Sequence, residues 1–180
     1  MNIWHDISES CIAPENFTAV IEIPKGGKNK YEMDKATGLL RLDRVLYTAT
    51  HYPANYGFIP RTYADDGDPL DVLVLCQECI VPMTLVQCRP IGVIMMVDGD
   101  AVDEKIIAVP LRDPSFSCFN DVNELPKHTT QEIENFFTVY KMLEHTAETQ
   151  VQPALGHEDA VRVISHCMEE YRYHYCGERH

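Results

Sequence analysis

The chain has 180 residues, 45% hydrophobic and 24% charged, a composition typical of one folded globular domain and not of a disordered or fibrous protein. Its 15 lysines and arginines against 28 aspartates and glutamates give a formal net charge of −13, which disfavours nucleic-acid binding. No apolar run reaches the ~18 residues of a membrane span and the opening residues lack a signal-peptide pattern, so we expect a cytoplasmic protein without membrane contact.

The first two-thirds of the chain contains short runs rich in β-branched residues. These runs, separated by Gly, Pro and Asp, predict strands at residues 17–23, 39–46, 71–76, 85–97 and 105–111. Pro90 and Gly92 interrupt the longest run, so we expect a bend or bulge there. Several short strands at close spacing predict a barrel or a sandwich.

The last third of the chain has helical periodicity. Residues 129–132 (TTQE) have the pattern of a capping box, and four apolar residues follow on one helix face: Ile133, Phe136, Phe137 and Tyr140. A second helix is predicted over residues 158–171, and residues 147–156 between the two helices read as a loop. The predicted fold class is therefore α+β, a small barrel with helices packed outside.

An acidic turn, DGDPLD at residues 66–71, leads into one of the predicted strands. It carries the carboxylates of Asp66, Asp68 and Asp71, and hard divalent cations prefer such oxygen ligands. Taken alone, the motif is equally consistent with an ordinary acidic surface turn.

A second acidic turn, DGDAVDEK at residues 98–105, lies between two other predicted strands and includes Asp98 and Asp103. Carboxylates on two strand-edge turns would repel one another unless cations lie between them. The two turns together therefore favour a shared metal site. The alternative is two solvated hairpin tips that never meet.

Basic residues are scarce, so those near the acidic turns or within apolar strands are candidates for function. Together with phenols they form this set: Lys30, Arg44, Tyr52, Tyr56, Lys105, Tyr140 and Lys141. Each also has an ordinary structural explanation; Lys30 and Glu32, for example, would form an exposed pair on one strand face. Acid clusters for metal ions, combined with cations and phenols that hold phosphate oxygens, are what phosphoryl transfer to water requires. No Walker-type glycine loop is present, which argues against a P-loop nucleotide hydrolase.

Seven cysteines are present, an odd number, and we interpret them as reduced thiols. Cys76 and Cys79 have the spacing of half a zinc site, but no second pair follows at matching spacing. Structural zinc is therefore not expected.

Five segments, in order and at compatible spacing, resemble motifs of the soluble family I inorganic pyrophosphatases of bacterial type. They are VIEIPKGGKNKYEMD, LDRVLYTATHYPANYGFIP, DGDPLDV, DGDAVDEKIIAVP and FFTVYKMLE, and the matching runs lie within residues 17–144. The resemblance implies a small twisted five-stranded barrel of OB-like topology with flanking helices. It also implies that residues 1–180 form a single pyrophosphatase domain.

The resemblance implies hydrolysis of inorganic pyrophosphate to two orthophosphates. In that reaction a Mg2+-activated water attacks in line, with Asp68 as the proton acceptor. Several Mg2+ ions would be bound per active site, with Mn2+ or Zn2+ as possible substitutes. Asp66, Asp71 and Asp103 would bind one ion, and Asp71 would also reach a second. Asp98 with Asp103 would hold a further ion, and Glu22 another.

Eight side chains would bind the substrate by the same resemblance: Lys30, Glu32, Arg44, Tyr52, Tyr56, Lys105, Tyr140 and Lys141. Among them, Lys30 and Tyr56 would contact the attacked phosphate. Arg44, Tyr140 and Lys141 would stabilise the departing phosphate.

Short members of this family are usually homohexamers, so we expect a hexamer, although the helix segment ENFFTVYK lacks the histidines that many hexameric members place at subunit contacts. Two alternatives to an enzyme are open at this point. One is a non-catalytic metal- or phosphate-binding protein on the same barrel, for which Asp68 would be dispensable. The other is an OB-like nucleic-acid binder, which would require a basic, aromatic groove.

Overall fold

The computed structural model of the chain describes residues 2–98, 101–144 and 149–177, and for Asp98 and Ala101 it describes the backbone alone. In these ranges the chain forms ten strands: β1 (Ile12–Ala13), β2 (Asn16–Ile23), β3 (Asn29–Met33), β4 (Leu40–Val45), β5 (Asn55–Phe58), β6 (Asp71–Val74), β7 (Leu85–Asp98), β8 (Ala101–Pro110), β9 (Thr149–Val151) and β10 (Leu155–Gly156). Three α-helices accompany them: α1 (Ile3–Asp6), α2 (Lys127–Val139) and α3 (His157–Tyr171). A π-helical turn, Arg172–Cys176, continues α3.

Five strands close into a ring in the order β2, β5, β6, β8, β7, because β7 pairs with β8 along one edge and with β2 along the other. The β6–β8 pair is parallel and the other four pairs of the ring are antiparallel. Closure gives each of these strands two hydrogen-bonded neighbours. The predicted α+β class with a small five-stranded OB-like barrel is confirmed. Strands β3 and β4 form a separate antiparallel hairpin outside the ring.

The five predicted strands correspond to β2, β4, β6, β7 and β8. The bulge expected in the longest run is confirmed, because the register between β7 and β8 shifts between Pro90 and Gly92. Strand β8 begins at Ala101, four residues before the predicted start, since the acidic residues of the second turn are themselves in extended pairing with β7. Strand β5, with the sequence NYGF, was not among the predicted strands; it is buried along its whole length.

The predicted capping box at residues 129–132 is wrong. Helix α2 begins two residues earlier, at Lys127, and Thr129 and Glu132 lie within it. The N-cap position is Pro126, whose side chain makes no capping hydrogen bond; its carbonyl oxygen accepts from the Thr129 N–H at 2.8 Å. Proline has no backbone N–H that requires a partner, and its fixed φ suits the start of a helix. Helix α2 can therefore begin after Pro126 without a polar capping side chain.

The predicted loop at residues 147–156 is corrected for its described part, since β9 and β10 lie there and both pair with β7. The reason is the length of β7. Strand β2 covers only its first residues, from Leu85 to Cys88, and the rest of that edge has backbone groups that require partners. Two short strands satisfy them.

The two long helices pack on the ring with apolar faces, and three of the four apolar residues predicted for the first helix face are buried within α2. The buried residues of the two helices are Ile133, Phe136 and Phe137 on α2, and Ala160, Ile164, Cys167, Met168 and Tyr171 on α3. All seven cysteines are free thiols, as expected. Among the described residues, no helix is long and apolar enough to cross a membrane.

The approach of β5 to β2 depends on Gly57. A Cβ at this position would lie 1.8 Å from the carbonyl oxygen of Val20, an atom of the paired backbone. We expect Gly57→Ala to lower the free energy of unfolding by more than about 4 kcal/mol, because relief of the clash requires separating two strands of the ring. Urea unfolding measures the loss.

Gly26→Ala provides the matched control. Gly26 has φ +78°, and no atom lies within 4 Å of the position that an added methyl group would take, so this variant tests left-handed backbone strain alone. That strain is worth about 1–2 kcal/mol. Equal losses in the two variants would contradict the close-approach argument.

Candidate active site

A cavity of about 730 Å³ is lined by residues of the β3–β4 hairpin, the turn before β6, strand β8 and the end of α2. Twelve of the fourteen predicted site residues line it: Glu22, Lys30, Glu32, Tyr52, Tyr56, Asp66, Asp68, Asp71, Asp103, Lys105, Tyr140 and Lys141. Arg44 is not in the wall, and the side chain of Asp98 lies outside the described residues. Elements distant in sequence therefore converge on one site.

The centre of the site is an ion-paired lysine. The parallel register of β6 and β8 places Asp71 opposite Lys105, and Asp103 projects from the same face of β8 two residues earlier. The Lys105 Nζ donates to Asp71 and, at 2.6 Å, to Asp103 Oδ1. Burial of Lys105 opposes its protonation, but the two carboxylates outweigh this effect and raise the pKa of the ammonium.

Three buried tyrosines belong to the aromatic part of the wall. The rings of Tyr52 and Tyr56 are 5.2 Å apart, and Tyr140 stacks on Phe136 with the ring centroids 5.3 Å apart. Burial raises the pKa of Tyr52 and of Tyr56, and the negative charge of Asp71 adds to the effect in both. Both phenols therefore remain protonated and able to donate hydrogen bonds.

The DGDPLD turn is folded tightly. Gly67 has φ +83°, in the left-handed region, and Asp66 Oδ1 accepts from the Asp68 N–H at 2.9 Å. Burial raises the pKa of Asp66; the Asp68 amide counteracts this, while the carboxylates of Asp68, Asp71 and Asp103 reinforce it. Because Asp103 belongs to the second acidic turn, the two turns do share one cavity, and the alternative of two separate tips does not hold for this residue.

Glu22 on β2 is a carboxyl group buried in the cavity wall, with 7% of its surface exposed. Its Oε1 accepts from the Met33 N–H at 2.7 Å. Burial raises the pKa of Glu22 to about 8, because a single backbone donor only partly replaces the lost hydration.

The hairpin contributes a network of charges around Asp43. Asp43 Oδ2 lies 3.4 Å from the Lys30 Nζ and also accepts from Arg44. Arg44 Nε donates to Glu144 Oε1 at 2.9 Å, which holds the guanidinium beside the wall instead of in it. Arg44 therefore shares the Asp43 carboxylate with Lys30 and is bound to Glu144, three residues after Lys141.

The sequence reasoning missed three charged residues of the wall, Asp34, Lys35 and Arg41, all on the β3–β4 hairpin or its turn. Lys35 forms an ion pair with Asp68. Basic residues are scarce in this chain, and that scarcity could have marked Lys35 and Arg41. Nothing in the sequence, however, indicates that the turn of the hairpin folds against residues 66–71.

The donor set of the wall suits hard divalent cations. Among the described residues it has seven carboxyl groups, Glu22, Glu32, Asp34, Asp66, Asp68, Asp71 and Asp103, and five cationic groups, Lys30, Lys35, Arg41, Lys105 and Lys141. In their present conformations, the Asp, Glu, His and Cys side chains of the described residues form no group of three or more that could hold a metal ion. The amino groups of Lys105 and Lys35 occupy positions between or beside these carboxylates.

Comparison with known proteins identifies the family. A family model described as inorganic pyrophosphatase matches residues 19–172. The chain belongs to the inorganic pyrophosphatase family. It is therefore a hydrolase that acts on inorganic pyrophosphate, and the non-catalytic alternative is not favoured.

Relatives from several lineages agree with this assignment. The chain is 48% identical over 172 residues to soluble inorganic pyrophosphatase 2 of Chlamydomonas reinhardtii, covering 96% of this chain and 89% of that protein. It is 50% identical over 168 residues to a soluble inorganic pyrophosphatase of Oryza sativa subsp. indica, covering 93% and 78%. The crystal structure of the Thermus thermophilus inorganic pyrophosphatase matches with a TM-score of 0.89 and 37% identity, covering 96% of this chain and 99% of that one. The Helicobacter pylori inorganic pyrophosphatase matches with a TM-score of 0.88 and 40% identity, covering 93% and 99%.

The buried carboxyl group of Glu22 predicts a pH-dependent stability of the metal-free protein. Its pKa is about 8 in the folded state against an ordinary value of 4.5, so between these values the folded state holds a proton that the unfolded state has lost. Stability is therefore fully present below about pH 4.5 and falls as the pH rises towards 8. The loss is on the order of 4 kcal/mol.

Glu22→Gln isolates this effect, since glutamine does not titrate. In EDTA, the wild-type protein and the variant should have similar free energies of unfolding near pH 5, and the variant should be the more stable at pH 8 and above. Denaturant unfolding at a series of pH values measures the difference. Parallel pH profiles for the two proteins would contradict the argument.

Proposed function

We propose that the protein hydrolyses inorganic pyrophosphate in this cavity by in-line attack of a water molecule, with Mg2+ as its preferred metal and Mn2+ or Zn2+ as possible substitutes. The observation that carries the proposal is the convergence of Asp66, Asp68, Asp71 and Asp103 with Lys105 in one wall. Carboxylates alone would repel the substrate, and cations alone would not activate water. The combination supplies both functions.

Metal dependence is general in this family, and the charge of the wall supports it here. Seven carboxyl groups face five cationic groups among the described wall residues, so the cavity by itself does not attract a multiply charged anion. Bound divalent ions would offset this charge and would lower the pKa of water towards neutrality. We propose that Glu22, Asp66, Asp71 and Asp103 hold them, together with Asp98 as predicted from the sequence.

Asp68 is the proposed proton acceptor. It belongs to the same tight turn as Asp66 and lines the same cavity as Asp66 and Asp71, so a water held by those carboxylates would also lie near Asp68. About half of its side chain is exposed to the cavity and solvent, which leaves a path for the proton after transfer. Its role is to accept the proton of the attacking water.

The substrate oxygens require donors on both phosphates. We assign Lys30 and Tyr56 to the attacked phosphate, and Tyr140 and Lys141 to the departing phosphate, all four being in the wall. Arg44 completes the second group. Its Nε and Nη1 are held by Glu144 and Asp43, but within the described ranges Nη2 has no protein partner, so this nitrogen is available to a phosphate oxygen.

Glu32, Tyr52 and Lys105 complete the proposed substrate site. The buried ammonium of Lys105 keeps two metal-binding carboxylates apart and adds positive charge close to the substrate. The Tyr52 ring packs on Tyr56 and on Phe136, which fixes the phenol of Tyr56 next to Asp71. These three residues act through position and charge.

The test is phosphate release from inorganic pyrophosphate by the purified protein, with Mg2+ and with EDTA, for the wild type and Asp68→Asn. We expect rapid release that depends on Mg2+ and falls at least about 100-fold in the variant, because the amide cannot accept the proton. Asp65→Asn is the matched control: Asp65 is a neighbouring exposed carboxylate that does not line the cavity, and its loss should leave the rate nearly unchanged.

Absence of phosphate release with every metal from a folded protein would instead indicate a metal- or phosphate-binding protein. Unchanged release by Asp68→Asn would leave the reaction in place and remove Asp68 as the acceptor. The acidic wall argues against nucleic acid as a ligand.

A homohexamer, a cytoplasmic location and a single pyrophosphatase domain over residues 1–180 stay predictions from the sequence. The assembly is directly measurable: sedimentation equilibrium should give a mass near six times the 20.5 kDa of one chain. A mass of one or two chains would contradict it.

A further inference from the structure

Lys35 lines the cavity, and the proposed reaction gives it no role so far. It lies on the turn between β3 and β4, outside the ring of the barrel. Its ammonium forms an ion pair with Asp68 Oδ1 and lies 3.4 Å from the carbonyl oxygen of Gly67. Lys35 therefore links the outer hairpin to the turn that carries the proposed proton acceptor.

Trp4 holds the ammonium of Lys35 from another side. The Lys35 Nζ lies 5.2 Å from the centroid of the Trp4 ring, within the range of a cation–π interaction. The ring itself is fixed, because Trp4 is buried and its Nε1 donates to the carbonyl oxygen of Thr62 at 2.9 Å. The lysine thus contacts a rigid aromatic face.

The backbone of the turn is fixed as well. Asp34 Oδ1 accepts from the N–H groups of Ala36 at 3.1 Å and of Thr37 at 2.8 Å, and Asn2 Nδ2 donates to the Lys35 carbonyl oxygen at 3.2 Å. An exposed ion pair usually contributes little to stability, because the entropy lost in ordering two flexible side chains nearly cancels their attraction. Here the turn and the indole ring already order the lysine, so the ion pair can orient its partner.

Within the described part of the chain, Lys35 is the only side chain that pairs with the Asp68 carboxylate, and Oδ2 of Asp68 has no protein partner. We propose that Lys35 is a positioning residue for Asp68: it binds Oδ1 and so leaves Oδ2 directed to the water that the reaction consumes. This inference rests on the proposed function, since it gives Lys35 a role only through Asp68.

The first test compares steady-state kinetics of Lys35→Met, Lys35→Arg and Lys127→Met. Lys127 is an exposed lysine at the start of α2, outside the cavity, and its replacement removes the same charge. We expect Lys35→Met to lower kcat about tenfold with KM changed less than about threefold, because a misplaced catalytic group slows the chemical step. Lys35→Arg should recover most of the loss, and Lys127→Met should match the wild type.

A double-mutant cycle separates positioning from direct contact with the substrate. If Lys35 acts through Asp68, then Lys35→Met causes no further loss of kcat in the Asp68→Asn background. An equal, multiplicative loss in both backgrounds would mean that Lys35 contacts the substrate itself and would overturn the inference.

Trp4 is the only tryptophan in the sequence, so its fluorescence reports on Lys35 without any need for activity. Asp68→Asn releases the ammonium and should alter the Trp4 emission spectrum in the wild-type background. The same substitution should have no effect on emission in the Lys35→Met background. An identical spectral change in both backgrounds would show that Lys35 does not couple the two groups.

The failures of the two proposals are distinguishable. Full activity of Asp68→Asn would overturn the proposed proton acceptor, and the positioning role with it. Loss of activity in Asp68→Asn, combined with a Lys35→Met enzyme as active as Lys127→Met, would overturn the inference on Lys35 alone. Thermal unfolding of each variant confirms that the compared proteins are folded.

Discussion

The buried ion pairs of Lys105 with Asp71 and Asp103 are the contacts on which the rest of the site depends. They exist because β6 and β8 run parallel, the exception in a ring otherwise antiparallel, and this register brings two acidic turns to the same end of the barrel. Without the ammonium, two partly buried carboxylates would face each other uncompensated, which is strongly destabilising. The parallel pairing of β6 with β8 therefore determines both the topology of the barrel and the arrangement of charges in the cavity.

An acidic enzyme for an anionic substrate has to concentrate its few cations. The sequence has 15 lysines and arginines; within the described part of the chain five of them line this cavity, and a sixth, Arg44, is held beside it by Glu144. Each of these six cations is paired with a carboxylate or placed over an aromatic ring, so protein contacts help to fix its position. The Lys141 Nζ, for example, lies 5.5 Å from the centroid of the Tyr140 ring. A carboxyl group such as Glu22, with its raised pKa, can in turn change charge state when a cation arrives.

Most of the fold could be predicted from the sequence because the patterns that indicate strands and helices depend only on residues close together in the chain. Short runs rich in β-branched residues mark β2 and β7, and apolar residues at helical spacing mark α2 and α3, whatever the rest of the chain does. Strands β1, β5, β9 and β10 were missed, since each is only two to four residues long and too short to give a periodic pattern. Twelve of the predicted residues line the cavity, and most of them were marked by the two acidic turns and by scarce cations and phenols, to which a resemblance of linked motifs added Glu22 and the proposed roles. Lys35 and the Arg44–Glu144 pair, in contrast, depend on how the outer hairpin folds, which no local pattern encodes.

The two sides of the cavity are stabilised by different forces. Strands β5 and β6 belong to the hydrophobic ring, and most of their residues are buried, whereas on the outer hairpin β3 is mostly half-buried and β4 is mostly exposed. That hairpin is connected across the site by ion pairs, from Lys35 to Asp68 and from Arg44 to Glu144. Elements with few buried apolar contacts are the parts of a fold that open at least cost. Because Asp68 and Arg44 are also groups that we propose to act in the reaction, ligands that enter the cavity would alter the ion pairs that hold its outer wall in place.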